Sequence, residues 1–212
     1  MPLSDFGCLT PEELSRVGLA GFGDDLRIHR TVLFFGAARI RLGSHVRIDA
    51  YSVLSAGRGG IRLGSHVHLA VGVTILGDDA VDIDDFCGLS AKVSVFSSSD
   101  DYSGGALTNP TVPAELRNVA SAPVRLEKHA IIGASSVIMP GVTIGVGAAV
   151  GAVSFVNKDV PAFAVVSGNP VRKIGTRDHS LLDREGAVPA GGEKGASDGA
   201  QAAAHSVHCR HD

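Results

Sequence analysis

The sequence predicts an all-β solenoid in which very short strands, three to a coil, stack into a prism. Three observations predict it. Ile40-Arg-Leu-Gly-Ser-His-Val46 recurs as Ile61-Arg-Leu-Gly-Ser-His-Val67. Around these copies aliphatic residues return every six positions, at Leu42, Ile48 and Leu54, then Leu63, Leu69 and Ile75, then Ile83, Leu89 and Val95. The composition agrees: 44% of residues are hydrophobic but only 5% aromatic with no Trp, and 27 of 212 are Gly. Such a chain builds its core from aliphatic side chains and needs many corners or close backbone contacts. A period of six matches neither a helix at 3.6 nor one long strand at 2. It fits short strands separated by turns and stacked at about 4.8 Å. A β-sandwich of many short strands is the alternative, but sandwich strands do not hold one interval through six trios.

The first element is a short helix at residues 10–20. Thr10 is its N-cap, Pro11 occupies the first helical position and Glu13 closes a capping box. Leu14, Val17 and Leu19 give it an apolar side. Coils begin with Phe22, Ile28 and Phe34 and continue through the three trios above. Extra residues such as Arg58-Gly59-Gly60 fall between trios, and Gly43, Gly64, Gly133, Gly145 and Gly151 suit tight corners. Residues 97–123 then break the period with Ser-, Asp-, Asn- and Pro-rich sequence, a long excursion of the kind that is functional or disordered. The repeat resumes at Leu126, Ile132, Ile138, Ile144, Val150 and Val156. The domain expectation is therefore an N-terminal helical segment at 1–20, a β-helix at 21–178 with its loop at 97–123, and a disordered tail at 179–212 rich in Ala, Gly and Ser.

Nineteen basic against 22 acidic residues leave a net charge of −3. A nucleic-acid binder that neutralises phosphates is normally basic, so that class is disfavoured. No apolar run is long enough to span a bilayer, and Met1 to Gly7 lacks a signal pattern, so the expected compartment is the cytoplasm. Cys8, Cys87 and Cys209 are too scattered for a disulfide framework or a paired-thiolate zinc motif.

The coils, the loop after Val95 and the run Ile132-Gly-Ala-Ser-Ser-Val-Ile-Met-Pro-Gly-Val-Thr-Ile-Gly145 resemble the hexapeptide-repeat acyltransferases. Val156-Asn-Lys-Asp-Val-Pro161 and Ser167-Gly-Asn-Pro-Val171 add to the likeness. The nearest pattern is that of the galactoside, maltose and xenobiotic O-acetyltransferases, over roughly residues 20–178. The resemblance implies a left-handed parallel β-helix, a homotrimer, and acetyl-CoA and a sugar acceptor held in clefts between subunits. It also implies that backbone around Ala134 and Ala152 lines the pantetheine arm. Asn157 and Lys158 would approach the adenosine end, and Arg172 and Lys173 would meet phosphates, which need cations.

Acetyl transfer needs a base for the acceptor proton and donors for the tetrahedral oxyanion. In the family the base is a loop histidine. The matching slot here is Asp100, and residues 97–123 contain no histidine. Three replacements compete. His68 points out of the prism, with Asp100 or Asp101 to orient it. His129 follows the return of the loop, in one corner row with Asp25, His45, His66 and Phe86. Asp100 itself is a weak base towards an alcohol but suits an ammonium acceptor. Asp101, Tyr102 and Asp78 are candidate acceptor contacts. No metal site is expected. His129 should stand two coils, roughly 10 Å, above His66, too far to share a zinc with ligands at about 2.0–2.1 Å. His205, His208, Cys209 and His211 crowd the C-terminal end, where a flexible tail makes a poor metal site. The leading expectation is O-acetylation of a saccharide or sugar-containing small molecule. Two others are N-acetylation of an amino sugar, free or nucleotide-linked, and a non-catalytic trimeric scaffold.

Overall fold

A computed structural model of the chain describes residues 7–188. The helix is shorter than its apolar pattern suggests, spanning Pro11–Arg16 with Val17 as C-cap. Both halves of the capping box form: Thr10 Oγ1 accepts from Glu13 N, and Glu13 Oε2 accepts from Thr10 N. Gly18, at a φ of +79°, turns the chain away into the first coil.

From there the chain winds as a parallel β-helix with three faces. The first face stacks Gly21–Phe22, Ile40–Leu42, Ile61–Leu63, Val81–Ile83, Val124–Leu126 and Thr143–Ile144. The second stacks Arg27–Ile28, Arg47–Ile48, His68–Leu69, Gly88–Leu89, Ile131–Ile132, Ala149–Val150 and Ala164–Ser167, and Arg172–Thr176 closes it antiparallel. The third stacks Leu33–Phe35, Val53–Ala56, Thr74–Gly77, Ser94–Phe96, Val137–Ile138 and Phe155–Val156. Registers hold from rung to rung, so Leu42, Leu63, Ile83, Leu126 and Ile144 form one continuous inward column. Identical inward positions give identical packing, and Leu54, Ile75, Val95, Ile138 and Val156 are fully buried. Phe22 departs from its trio. It is 45% exposed, because it lies on the outermost rung of its face.

The corners divide their work in a way the glycine content does not announce. Gly43 is needed for close approach, since a Cβ there would overlap the Gly64 backbone one coil away. One row of left-handed corners is held instead by non-glycine residues, Asp25, His45, His66, Phe86 and His129, with φ between +52° and +63°. Their rings stack coil on coil, with centroids 4.6 Å apart for His45–His66, 4.8 Å for His66–Phe86 and 5.0 Å for Phe86–His129. Ring contact offsets the strain of a left-handed backbone in non-glycine residues.

The expected disordered tail starts at 179, but residues 179–188 fold back in two 3-10 turns, His179–Leu181 and Glu185–Ala187. Residues 189–212, with His205, His208, Cys209 and His211, lie outside the described residues.

Candidate active site

The loop leaves the third face directly after Phe96. Ser97 is buried there and anchors the departure: its Oγ donates to the Asp79 carbonyl at 2.6 Å, and its N–H to the Leu76 carbonyl at 3.0 Å. Gly77 makes room for it, since a Cβ at that position would overlap Ser97 Oγ. Ser98–Ser99 then pairs antiparallel with the returning Ala120–Ser121, and Ala122 N–H closes the neck on the Ser97 carbonyl. Between the arms, Leu107 N–H bonds to the Leu116 carbonyl at 2.9 Å, and Asn109 Oδ1 accepts from Thr111 N at 3.0 Å. The excursion is thus a built structure with its own turns.

A pocket of about 570 Å³ opens where the loop overhangs the third face. Its floor is apolar and made by the coils: Phe96, Val137, Met139 and Phe155. Its rim comes from the loop: Ser98, Ser99, Asp100 and Tyr102. Asp100 is the one ionisable carboxyl among these lining residues, and no hydrogen bond from the described residues reaches its carboxylate. Tyr102 is 93% exposed. The pocket therefore offers an apolar wall, one uncommitted carboxylate and one exposed tyrosine. It contains no histidine.

The other candidates are not among the residues that line this pocket. Asp101 turns inward on its own loop, its Oδ1 accepting from Ser103 N at 2.7 Å, and Ser103 holds its carboxyl below the usual range. Asp78 is paired with Arg58, whose guanidinium and backbone N–H both bond it and depress its pKa. His68 stands on the second face. Its expected partners, Asp100 and Asp101, are replaced by Asp49, with Nε2 to Oδ2 at 2.9 Å. Burial opposes ionisation of Asp49, but hydrogen bonds from Arg47 and His68 outweigh it and hold the carboxyl low. His129 lies in the corner between the first and second faces and does not line the pocket. Its ring stacks on Phe86, and Nε2 meets Glu185 Oε2 at 3.1 Å. Arg177 donates to the carbonyls of His129 and Gly147, at 2.8 and 3.2 Å.

Ala134 and Ala152 sit within the coil stack: the Ala134 carbonyl accepts from Val153 N at 2.8 Å, and a Cβ at Gly133 would overlap the Ala152 backbone. Lys158, Arg172 and Lys173 have no ion pair or side-chain hydrogen bond among the described residues, and all three are exposed at the last coils beside Asn157. Among the described residues no three metal-ligating side chains converge. Cys87 is inert, its thiol pushed up to about 12 chiefly by burial.

The chain is 40% identical over 173 residues to dTDP-4-amino-4,6-dideoxy-D-glucose acyltransferase of Escherichia coli, covering 82% of this chain and 90% of that one. It belongs to the hexapeptide-repeat acyltransferases. No protein-family model matches the chain. Among solved members, AntD, an N-acyltransferase from Bacillus cereus in complex with dTDP and 3-hydroxybutyryl-CoA, superposes with a TM-score of 0.82 at 35% identity, over 85% of this chain and 95% of that one. An AntD variant in complex with dTDP-4-amino-4,6-dideoxyglucose and Coenzyme A gives 0.83 at 34% identity, over 86% and 97%. A maltose O-acetyltransferase from Clostridium difficile 630 shares the fold at a TM-score of 0.53 and 22% identity, over 79% and 75%. As an acyltransferase of this type the chain carries the left-handed β-helix that the resemblance implied. AntD is an N-acyltransferase, whereas the leading expectation from sequence is O-acetylation. No helix among the described residues is long and apolar enough to cross a membrane.

Proposed function

We propose that the protein transfers an acyl group, acetyl in the simplest case, from acyl-CoA to the amine of a nucleotide-linked amino sugar. The observation that carries this reading is the 40% identity, across 90% of its length, to an acyltransferase of a dTDP-linked 4-amino sugar. The pocket supports it independently. A hydroxyl acceptor needs a base of suitable pKa to remove its proton, and no histidine lines the pocket. An amine is a far better nucleophile than a hydroxyl and has only to shed the extra proton of its ammonium form, which a carboxylate beside it can receive.

In this mechanism Asp100 receives the acceptor's ammonium, orients it and takes one proton as it becomes an amine. Nitrogen attacks the thioester carbonyl, the C–N bond forms, and backbone N–H groups stabilise the oxyanion. The C–S bond then breaks, the thiolate recovers a proton from the new amide nitrogen, Asp100 gives its own proton to solvent, and an amide and free CoA leave. The apolar floor of Phe96, Val137, Met139 and Phe155 keeps water from the thioester. AntD has been solved with replacements at a serine and at an aspartate ten residues further on. Ala134 and Ala152 border the pantetheine arm, and Asn157, Lys158, Arg172 and Lys173 receive the adenosine and phosphate end of CoA. A homotrimer in the cytoplasm is part of the same proposal.

Free-thiol release from acetyl-CoA tests the reading. Turnover is expected with dTDP-4-amino-4,6-dideoxyglucose, rising with pH as the amine loses its proton, and not with maltose. Turnover with maltose alone would overturn it.

A further inference from the structure

We propose that Arg117 recognises the diphosphate of the acceptor and so fixes specificity for a nucleoside diphosphate sugar. This rests on the acceptor class proposed above. The loop that rims the pocket, residues 97–123, contains four charged residues: Asp100, Asp101, Glu115 and Arg117. Three are carboxylates. An acceptor that brings two phosphates to this loop meets net repulsion unless the single cation faces it.

Arg117 differs from the arginines that are committed within the fold. Arg39 bonds the carbonyls of Ala56 and Gly57, Arg58 and Arg62 pair with Asp78 and Asp82, and Arg177 bonds the carbonyls of His129 and Gly147. Arg117 has no side-chain hydrogen bond or ion pair among the described residues. Its Nε is the buried side-chain polar atom left without a partner there. An unpaired buried N–H is a cost that a native site carries when something else satisfies it. The guanidinium offers a planar fork of donors, the geometry that suits phosphate oxygens.

Its backbone is fixed where such a role requires. Arg117 N–H bonds the Ala114 carbonyl at 3.2 Å, and the residue bridges to Leu107 across the loop. Three residues later Ala120 pairs with Ser99, which adjoins Asp100 on the pocket rim. In a 4-amino sugar nucleotide the amine and the anomeric phosphate lie on opposite sides of one pyranose ring. Arg117 stands on the return arm of the same loop, three residues before the strand that pairs with Ser99. Lys158, Arg172 and Lys173, at the far coils, are left to the phosphates of CoA.

Calorimetric titration of the full chain with dTDP, thymidine and CoA tests this. Wild type should bind dTDP more tightly than thymidine. Arg117→Ala should weaken dTDP binding roughly 10- to 100-fold, the scale of a charged hydrogen bond, with CoA affinity held. Arg117→Lys, which keeps the charge but not the fork, should recover part of the loss. In turnover, KM for the dTDP-linked amino sugar should rise while kcat moves less. Equal dTDP affinity in wild type and both variants overturns the inference, as does a loss confined to CoA. If the alanine variant does not fold, the lysine variant and the dTDP–thymidine contrast in wild type decide the matter. Failure of the N-acyl reading looks different: wild type itself would release no thiol with the dTDP-linked amino sugar. An active wild type whose KM is indifferent to Arg117 overturns the Arg117 assignment alone.

Discussion

Two regions gather aromatic and ionisable side chains, and they treat them oppositely. In the corner ladder the polar ends at both sides are matched: His45 Nδ1 meets Asp25 at 3.0 Å, His129 meets Glu185, and the adjoining Lys128 Nζ meets Glu185 at 2.7 Å. In the pocket on the third face, Asp100 is left without a partner among the described residues and Tyr102 without cover. Groups satisfied by their neighbours have a structural job already. Groups left unsatisfied beside an apolar floor are the ones available to a substrate.

The contrast breaks most visibly at Asp100. Asp100→Asn should lower kcat roughly 10²–10⁴-fold for an amine acceptor while leaving thermal unfolding unchanged. A loss under tenfold in thiol release would return the search for a base to the histidines. Phe86→Ala should do the reverse. Removing the middle ring breaks two stacked contacts, and stability should fall by about 1–3 kcal/mol in urea unfolding, with turnover nearly unchanged. His68→Ala should cost less than about tenfold in turnover, short of a general base's contribution. Loss of 10² or more would place the second face in the chemistry.

The smallest effect is expected at Glu185. Hydrogen bonds from Lys128 and then His129 hold its carboxyl below the ordinary value of 4.5. A depressed carboxyl stabilises the fold above its unfolded value and loses that contribution as pH falls through the folded one. Residues 177–188 should therefore exchange their amide hydrogens faster below about pH 4.5, as they should in Glu185→Gln at neutral pH, with the coil strands unaffected. Equal exchange in both proteins would show that Arg177 and the Phe163–His179 stack, at 3.8 Å, hold the segment unaided.

Most of the fold is legible because its rule is local and repeated. Each sixth aliphatic residue faces inward for the same geometric reason, and the corner row Asp25, His45, His66, Phe86 and His129 falls out of aligning trios. The site is legible only as an address. Loop 97–123 announces itself by breaking the period, and Asp100 by standing in the family's histidine slot. The partner of His68 could not be read, because Asp49 lies one coil away and nothing in spacing distinguishes it from Asp100. Nor could the tie between Glu185 and His129, 56 residues apart in a segment whose composition suggests disorder. Arg117 was missed for a related reason. A lone arginine in a loop carries no pattern, and only the unpaired Nε sets it apart.

The neck at Ser97 has a consequence for how such proteins diversify. Val81–Ile83 pairs with Val124–Leu126 in the register used by every other rung, as though the intervening loop were absent. The insertion is a side branch closed by its own short hairpin, so its length enters stability only through a slowly growing closure entropy. Substrate preference can drift by edits to that branch while the prism is inherited intact, and one scaffold can serve many acceptors without being refolded for any of them.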